Sequence, residues 1–85
     1  MKRNYDDQQY AQFRKDVLKR DCFTCKMPGC NNKKLLHVHH IKPWSKAFSL
    51  RYDIMNGITL CKYCHKLVTG KEFYYEKLFL EIING

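Results

Sequence analysis

Apolar positions at the start of the chain recur at helical spacing: Tyr10, Phe13, Val17 and Leu18 fall on one face, and Arg14, Lys15 and Lys19 on the other. Asp6 with Gln9 three residues later has the form of a capping box, so a helix is expected to open there. From Cys22 to Lys34 the periodicity gives way to turn chemistry. Met27-Pro28-Gly29-Cys30 suits a type II turn, in which Pro fixes one φ and Gly accepts the positive one, and such a turn brings Cys25 and Cys30 together. Leu35 to Ile41 is short, partly β-branched and ends at Lys42-Pro43, where proline cannot continue a central ladder, so it reads as a strand. Residues Pro43 to Tyr52 read as irregular loop, Gly57-Ile58-Thr59-Leu60 as a second strand, and Lys62 to Val68 as a short helix. Thr69-Gly70-Lys71-Glu72 repeats the capping-box pattern and opens a last helix whose Tyr75, Leu78, Phe79 and Ile82 share a face. The expected class is α+β: a hairpin and short helix between an N-terminal and a C-terminal helix.

With 85 residues and no repeat, linker or low-complexity tract, the chain reads as one domain over 1–85. A chain of this size buries only roughly 60–65% of the surface it exposes when unfolded, so its apolar core is marginal. A structural metal remedies this, because the binding free energy of the folded site becomes folding free energy. Two cysteine pairs, Cys25/Cys30 and Cys61/Cys64, supply four thiolates for a tetrahedral zinc site, and paired short loops are a specific signal for one. Cys22 also forms a C-x-x-C with Cys25, so spacing alone leaves the first pair open. The Pro-Gly turn favours Cys25/Cys30 and leaves Cys22 as a small buried side chain ending the first helix. An alternative places His39 or His65 on this zinc in place of one cysteine. The odd cysteine count and the lack of an apolar secretory segment after Met1-Lys2-Arg3 argue for a reducing, cytoplasmic setting. No apolar run approaches membrane-spanning length.

Lys and Arg number 16 against 8 acidic residues, a net charge of +8, which makes nucleic acid the leading partner. The basic residues are not gathered on one amphipathic segment, which disfavours a membrane surface.

Four cysteines that complete a zinc site leave the nearby imidazoles without a structural task. Adjacent residues on an extended strand point to opposite faces, so His39 and His40 are expected to differ in role. A neutral imidazole binds a divalent cation, while a second with a pKa near neutrality takes a proton from water. His65, directly after Cys64, opens the short helix and is placed to meet His39 as a second ligand. His37 reads as an ordinary surface histidine with no role.

Arg20-Asp21, Phe23-Thr24-Cys25, Val38-His39-His40-Ile41-Lys42-Pro43, Asn56-Gly57-Ile58-Thr59-Leu60-Cys61 and Cys64-His65 together resemble the HNH endonucleases, with the core motif over about residues 20–72. The small size and the Gly70-Lys71-Glu72 tail look most like compact phage and prophage members. The resemblance implies a ββα-metal (His-Me finger) fold, one catalytic divalent ion and a four-cysteine structural zinc knuckle. It implies His40 as the general base, His39 and His65 as ligands of the catalytic ion, and Asn56 as the residue that orients the base or steadies its loop; in some members the Asn joins the metal shell instead. The implied activity is hydrolysis of DNA phosphodiester bonds, by nicking or double-strand cleavage, to 5′-phosphate and 3′-hydroxyl ends. Magnesium, manganese, nickel or zinc would suit a site completed by water and phosphate oxygens. Many members carry a further histidine four residues after the Cys-His, where this chain has Thr69, and the first cysteine pair is stretched from two intervening residues to four.

Lys42, Lys46, Arg51, Lys62, Lys66 and Lys71 are candidate phosphate contacts, which position a duplex without reading its sequence. Trp44 is expected to pack against the last helix. The competing class is a non-catalytic zinc-stabilised DNA-binding module, or an accessory to a phage packaging or recombination machine, with terminase among the partners the resemblance brings to mind.

Overall fold

The computed structural model describes residues 8–42 and 52–84. Trp44, Lys46 and Arg51 lie outside them, as does Asp6 of the first capping pattern. Helix α1 runs Gln8–Arg20, strand β1 Leu36–His40, β2 Gly57–Cys61, helix α2 Lys62–Val68 and helix α3 Glu72–Asn84, with a 3₁₀ turn over Ile54–Asn56 just before β2. No helix among the described residues is long and apolar enough to cross a membrane.

The two strands pair antiparallel, with Leu36 opposite Cys61, Val38 opposite Thr59 and His40 opposite Gly57. β2 is buried along its whole length, which explains its nearly continuous apolar sequence. One of its faces turns Ile58 and Leu60 into a core shared with Ile41, Val68 and Phe79. The other lies under α1, whose Phe13, Val17 and Leu18 are buried. Gly57 allows that approach: a Cβ there would sit 2.8 Å from Phe13 Cζ and 2.9 Å from Val17 Cγ2.

Two sequence expectations are corrected in detail. Cys22 is exposed rather than buried. It adopts φ 57° and, with Phe23, closes α1 through the bonds Cys22 N–H to Lys19 O (3.1 Å) and Phe23 N–H to Leu18 O (2.8 Å), the pattern of a Schellman motif usually ended by glycine. Thr69 and Glu72 do not form a reciprocal capping box. The Thr69 hydroxyl donates back to His65 O at 2.8 Å, closing α2, while the Glu72 carboxylate accepts from Gly70 N–H at 3.1 Å. The competing interaction is Thr back-bonding to the carbonyl four residues earlier, and it wins because a helix ends there.

A buried carboxylate ties α1 to the sheet. Asp21 accepts both Nε and Nη2 of Arg20 at 2.9 Å and also Thr59 N–H at 3.0 Å, while Arg20 Nη2 reaches Gly57 O at 2.6 Å. Such bidentate, charge-assisted bonds are the stronger kind. Together they fix β2, and through it the site, against the end of α1.

Candidate metal centres and active site

The sulfur cage is built from a turn and a helix start. Cys30 N–H donates to Met27 O at 2.9 Å, and Gly29 holds φ 84°, as expected for a type II turn. Lys26 N–H donates to Thr59 O at 2.9 Å, pinning this loop to the outer edge of β2, whose last residue is Cys61. One sulfur from each of Cys25, Cys30, Cys61 and Cys64 then falls within 4.8 Å of every other. The Cys30 and Cys61 sulfurs are 3.9 Å apart, close to the roughly 3.8 Å between two thiolates bound tetrahedrally at about 2.3 Å. The donor set therefore suits a structural metal such as zinc. Burial pushes the Cys25 thiol up, and burial with hydrogen bonding to Cys61 pushes Cys64 up. For Cys61 burial also raises the pKa, but the backbone N–H of Cys64, the thiols of Cys64 and Cys30 and the N–H of Tyr63 outweigh it and bring it down to about 7. Clustered thiols whose protons are hard to place are the expected state of a cage that a cation would relieve.

The hairpin sorts the histidines by face. Residues opposite one another in an antiparallel pair share a face, so His37 and His39 project with Leu60 and Ile58, and His40 projects with Gly57. On the first face His39 meets Phe79 of α3 at 5.6 Å between ring centroids and His65 of α2 at 5.5 Å. His39 is 5% exposed, and its Nε2 is buried with no hydrogen-bond partner among the described residues. Burial, then the His65 charge, lowers its pKa to about 4, so it is neutral and available as a ligand at physiological pH. His65 is lowered too, by burial and then by His37. On the opposite face His40 stacks on Phe13 of α1, with centroids 5.0 Å apart and planes 17° from parallel.

Asn56 closes the segment between the strands. Its backbone O accepts Ile41 N–H at 2.8 Å, its side-chain Oδ1 accepts Lys42 N–H at 2.9 Å, and its Nδ2 donates to Lys42 O at 3.3 Å. The side chain thus grips the backbone just past His40, and the residue is 3% exposed. Of the six basic candidates, Lys62, Lys66 and Lys71 are exposed on and beyond α2, Lys42 is half-buried, and Lys46 and Arg51 lie outside the described residues.

Three residues enter the site that sequence reading gave no part in it. His37 brings Nδ1 to 3.2 Å from Nδ1 of His65. The Glu72 carboxylate lies close enough for its charge to raise the pKa of both His39 and His65, adding negative potential where a cation would sit. Phe13 supplies the surface on which His40 lies. The two-residue period of β1 was the available signal for His37. Glu72 and Phe13 depend on how helices pack, which no local pattern encodes.

The family model described as HNH endonuclease matches residues 22–71. No curated protein and no solved structure matches the chain.

Proposed function

Because the chain belongs to the HNH endonuclease family, we propose that it is a metal-dependent DNA endonuclease in which the sulfur cage holds zinc for structure and the nitrogen cluster holds a second divalent ion for catalysis. The observation that carries the reading is the division made by the hairpin: His39 and His65 adjoin on one face, and His40 lies against Phe13 on the other, at the last position of β1. His39 fits a metal ligand through its neutral form and a buried Nε2 that has no hydrogen-bond partner among the described residues. The bound ion would supply positive charge to the scissile phosphate and the leaving 3′ oxygen.

The remaining work falls to side chains. His40 takes the proton from the attacking water, a step worth typically 10²–10⁴-fold when the base is well placed. Phe13 fixes the plane of its ring by stacking, and Asn56 holds the backbone that follows it. His40 follows His39 directly and is the last residue of β1, so the proposed reaction puts the phosphodiester at that strand end. Lys42, Lys62, Lys66 and Lys71, with Lys46 and Arg51, provide electrostatic attraction for the backbone, which gives affinity that falls steeply with salt. The products are a 5′-phosphate and a 3′-hydroxyl, and one such centre cuts one strand.

Metal stoichiometry and cleavage together test this. Elemental analysis and calorimetric titration of the purified protein are expected to find one tightly held zinc and one exchangeable site for manganese, nickel or magnesium. Plasmid cleavage should follow occupancy of the exchangeable site alone. A protein that takes up only the sulfur-bound ion and cleaves in no divalent metal is instead a non-catalytic zinc-stabilised DNA-binding module.

A further inference from the structure

We propose that His37 is a ligand of the divalent ion in the nitrogen site, joining His39 and His65 in a three-imidazole set. The inference rests on the reading of that cluster as a metal centre. It goes further in assigning a donor from a position that looks like ordinary surface.

Strand geometry comes first. His37 and His39 are two residues apart on β1, so both side chains leave the same face of the hairpin, the one over which α2 places His65. The separation of the donors comes second. His37 Nδ1 and His65 Nδ1 are 3.2 Å apart, and two imidazole nitrogens on one tetrahedral ion, each about 2.0–2.1 Å from it, are about 3.3 Å apart. The alternative account of that distance is one imidazole hydrogen-bonding the other. It would leave two exposed or half-exposed rings ordered for the small net gain of a solvent-accessible hydrogen bond.

Third is the orphaned nitrogen. His39 adjoins His65, which in turn meets His37, and its buried Nε2 has no hydrogen-bond partner among the described residues. A buried nitrogen without a hydrogen bond calls for an explanation, and an ion shared with His65 supplies one. Fourth, Thr69 stands one turn after His65 but turns its hydroxyl back to His65 O at 2.8 Å, so it offers no donor in place of a third imidazole. The negative charge of Glu72 beside His39 and His65 further favours a cation there.

The three imidazoles do not reach the 4.8 Å mutual spacing that the four sulfurs show. Closing the set therefore takes a rotation of side chains. His37 and His65 already stand at the required separation, so the movement is a joint turn of these exposed and half-buried rings towards His39 Nε2 between staggered rotamers.

Cobalt(II) is the probe. Protein with zinc in the sulfur cage is titrated with Co²⁺, following the visible d–d bands, with the near-ultraviolet thiolate charge-transfer region monitored to show that the cage keeps its zinc. Wild type is expected to bind one Co²⁺, and His65→Ala to bind none at the same concentrations. His37→Ala should bind at least about tenfold more weakly, since even outer partners of metal ligands cost 10–100-fold. Its d–d spectrum should shift as an imidazole is replaced by water, and His37→Gln should behave alike. Far-ultraviolet circular dichroism and zinc content are expected to match wild type in both His37 variants, because the side chain is exposed. If the His37→Ala isotherm and spectrum superimpose on wild type, His37 is not a ligand and the metal-centre reading stands without it. If wild type itself takes no second ion, the reading of the cluster falls and this assignment with it.

Discussion

His39 owes its chemistry to burial. At 5% exposure its imidazole cannot be solvated as a cation, and its folded pKa falls from about 6.5 to about 4, through burial first and the His65 charge second. The unfolded chain binds that proton near pH 6.5 and the folded chain only near pH 4. Between those values the unfolded state therefore holds more protons. Stability is then complete above pH 6.5 and is lost as the pH falls towards 4, by on the order of 3 kcal/mol for this group. Denaturant unfolding of the zinc-loaded protein without a second ion checks it: wild type should lose more stability than His39→Leu across that window. Parallel curves would show that His39 is protonated in the fold. The same scale shows the limit of reading residues singly. His39 and His40 are adjacent in sequence and were assignable to different faces by strand alternation alone. His37 obeys the same alternation, yet its meaning appears only when α2 sets His65 3.2 Å away.

At the scale of elements, the hairpin is what puts His39 and His40 on opposite faces, and α1 is what lies against the His40 side. The strands and α2 were legible because β-branched and apolar runs, the Pro-Gly turn and the cysteine spacing all agree on them. The ends of helices were less so. Thr69 and Glu72 carry capping-box identities but serve two different helices, and Cys22 takes a left-handed position that sequence would reserve for glycine. The crossing of α1 over β2 left one mark in the sequence, Gly57, whose meaning as a contact point emerges only from packing. Its backbone, at φ −123° and ψ 147°, would accept alanine, so the cost of Gly57→Ala is steric alone. A methyl 2.8 Å from Phe13 Cζ and 2.9 Å from Val17 Cγ2 must push α1 outward and shift the ring beneath His40. The expected loss is about 1–3 kcal/mol, read as a lower denaturant midpoint with unchanged slope. An unchanged midpoint would mean that α1 does not seat on β2 as described.

For the whole molecule, 85 residues carrying a net charge of +8 must be held compact against their own repulsion, and the proposed reaction also needs histidines that a phosphate can reach. The two clusters divide that requirement. The four cysteines join the loop after α1 to the junction of β2 and α2, so a metal there would fix both ends of the stretch that contains β1, His37, His39, His40 and Asn56, with His65 directly after its last ligand. Rigidity of that kind is what placing a water, a base and a cation about one phosphate demands. The sulfur cage was readable from spacing because ligand pairs in short loops encode their own geometry. The nitrogen cluster was readable in part, since its members come from β1, α2 and the start of α3 and meet only through the packing of the core around Phe79.

The central claim, that the sulfur site braces while the nitrogen site cuts with His40 as base, is met most directly by one comparison. Supercoiled plasmid is incubated with zinc-loaded wild type and His40→Ala in magnesium, manganese or nickel, and the rate of nicking is measured. Wild type should nick in at least one metal, and His40→Ala should fall by about 10²–10⁴-fold with zinc content and circular dichroism unchanged. Equal nicking by the two proteins in every metal would contradict the account.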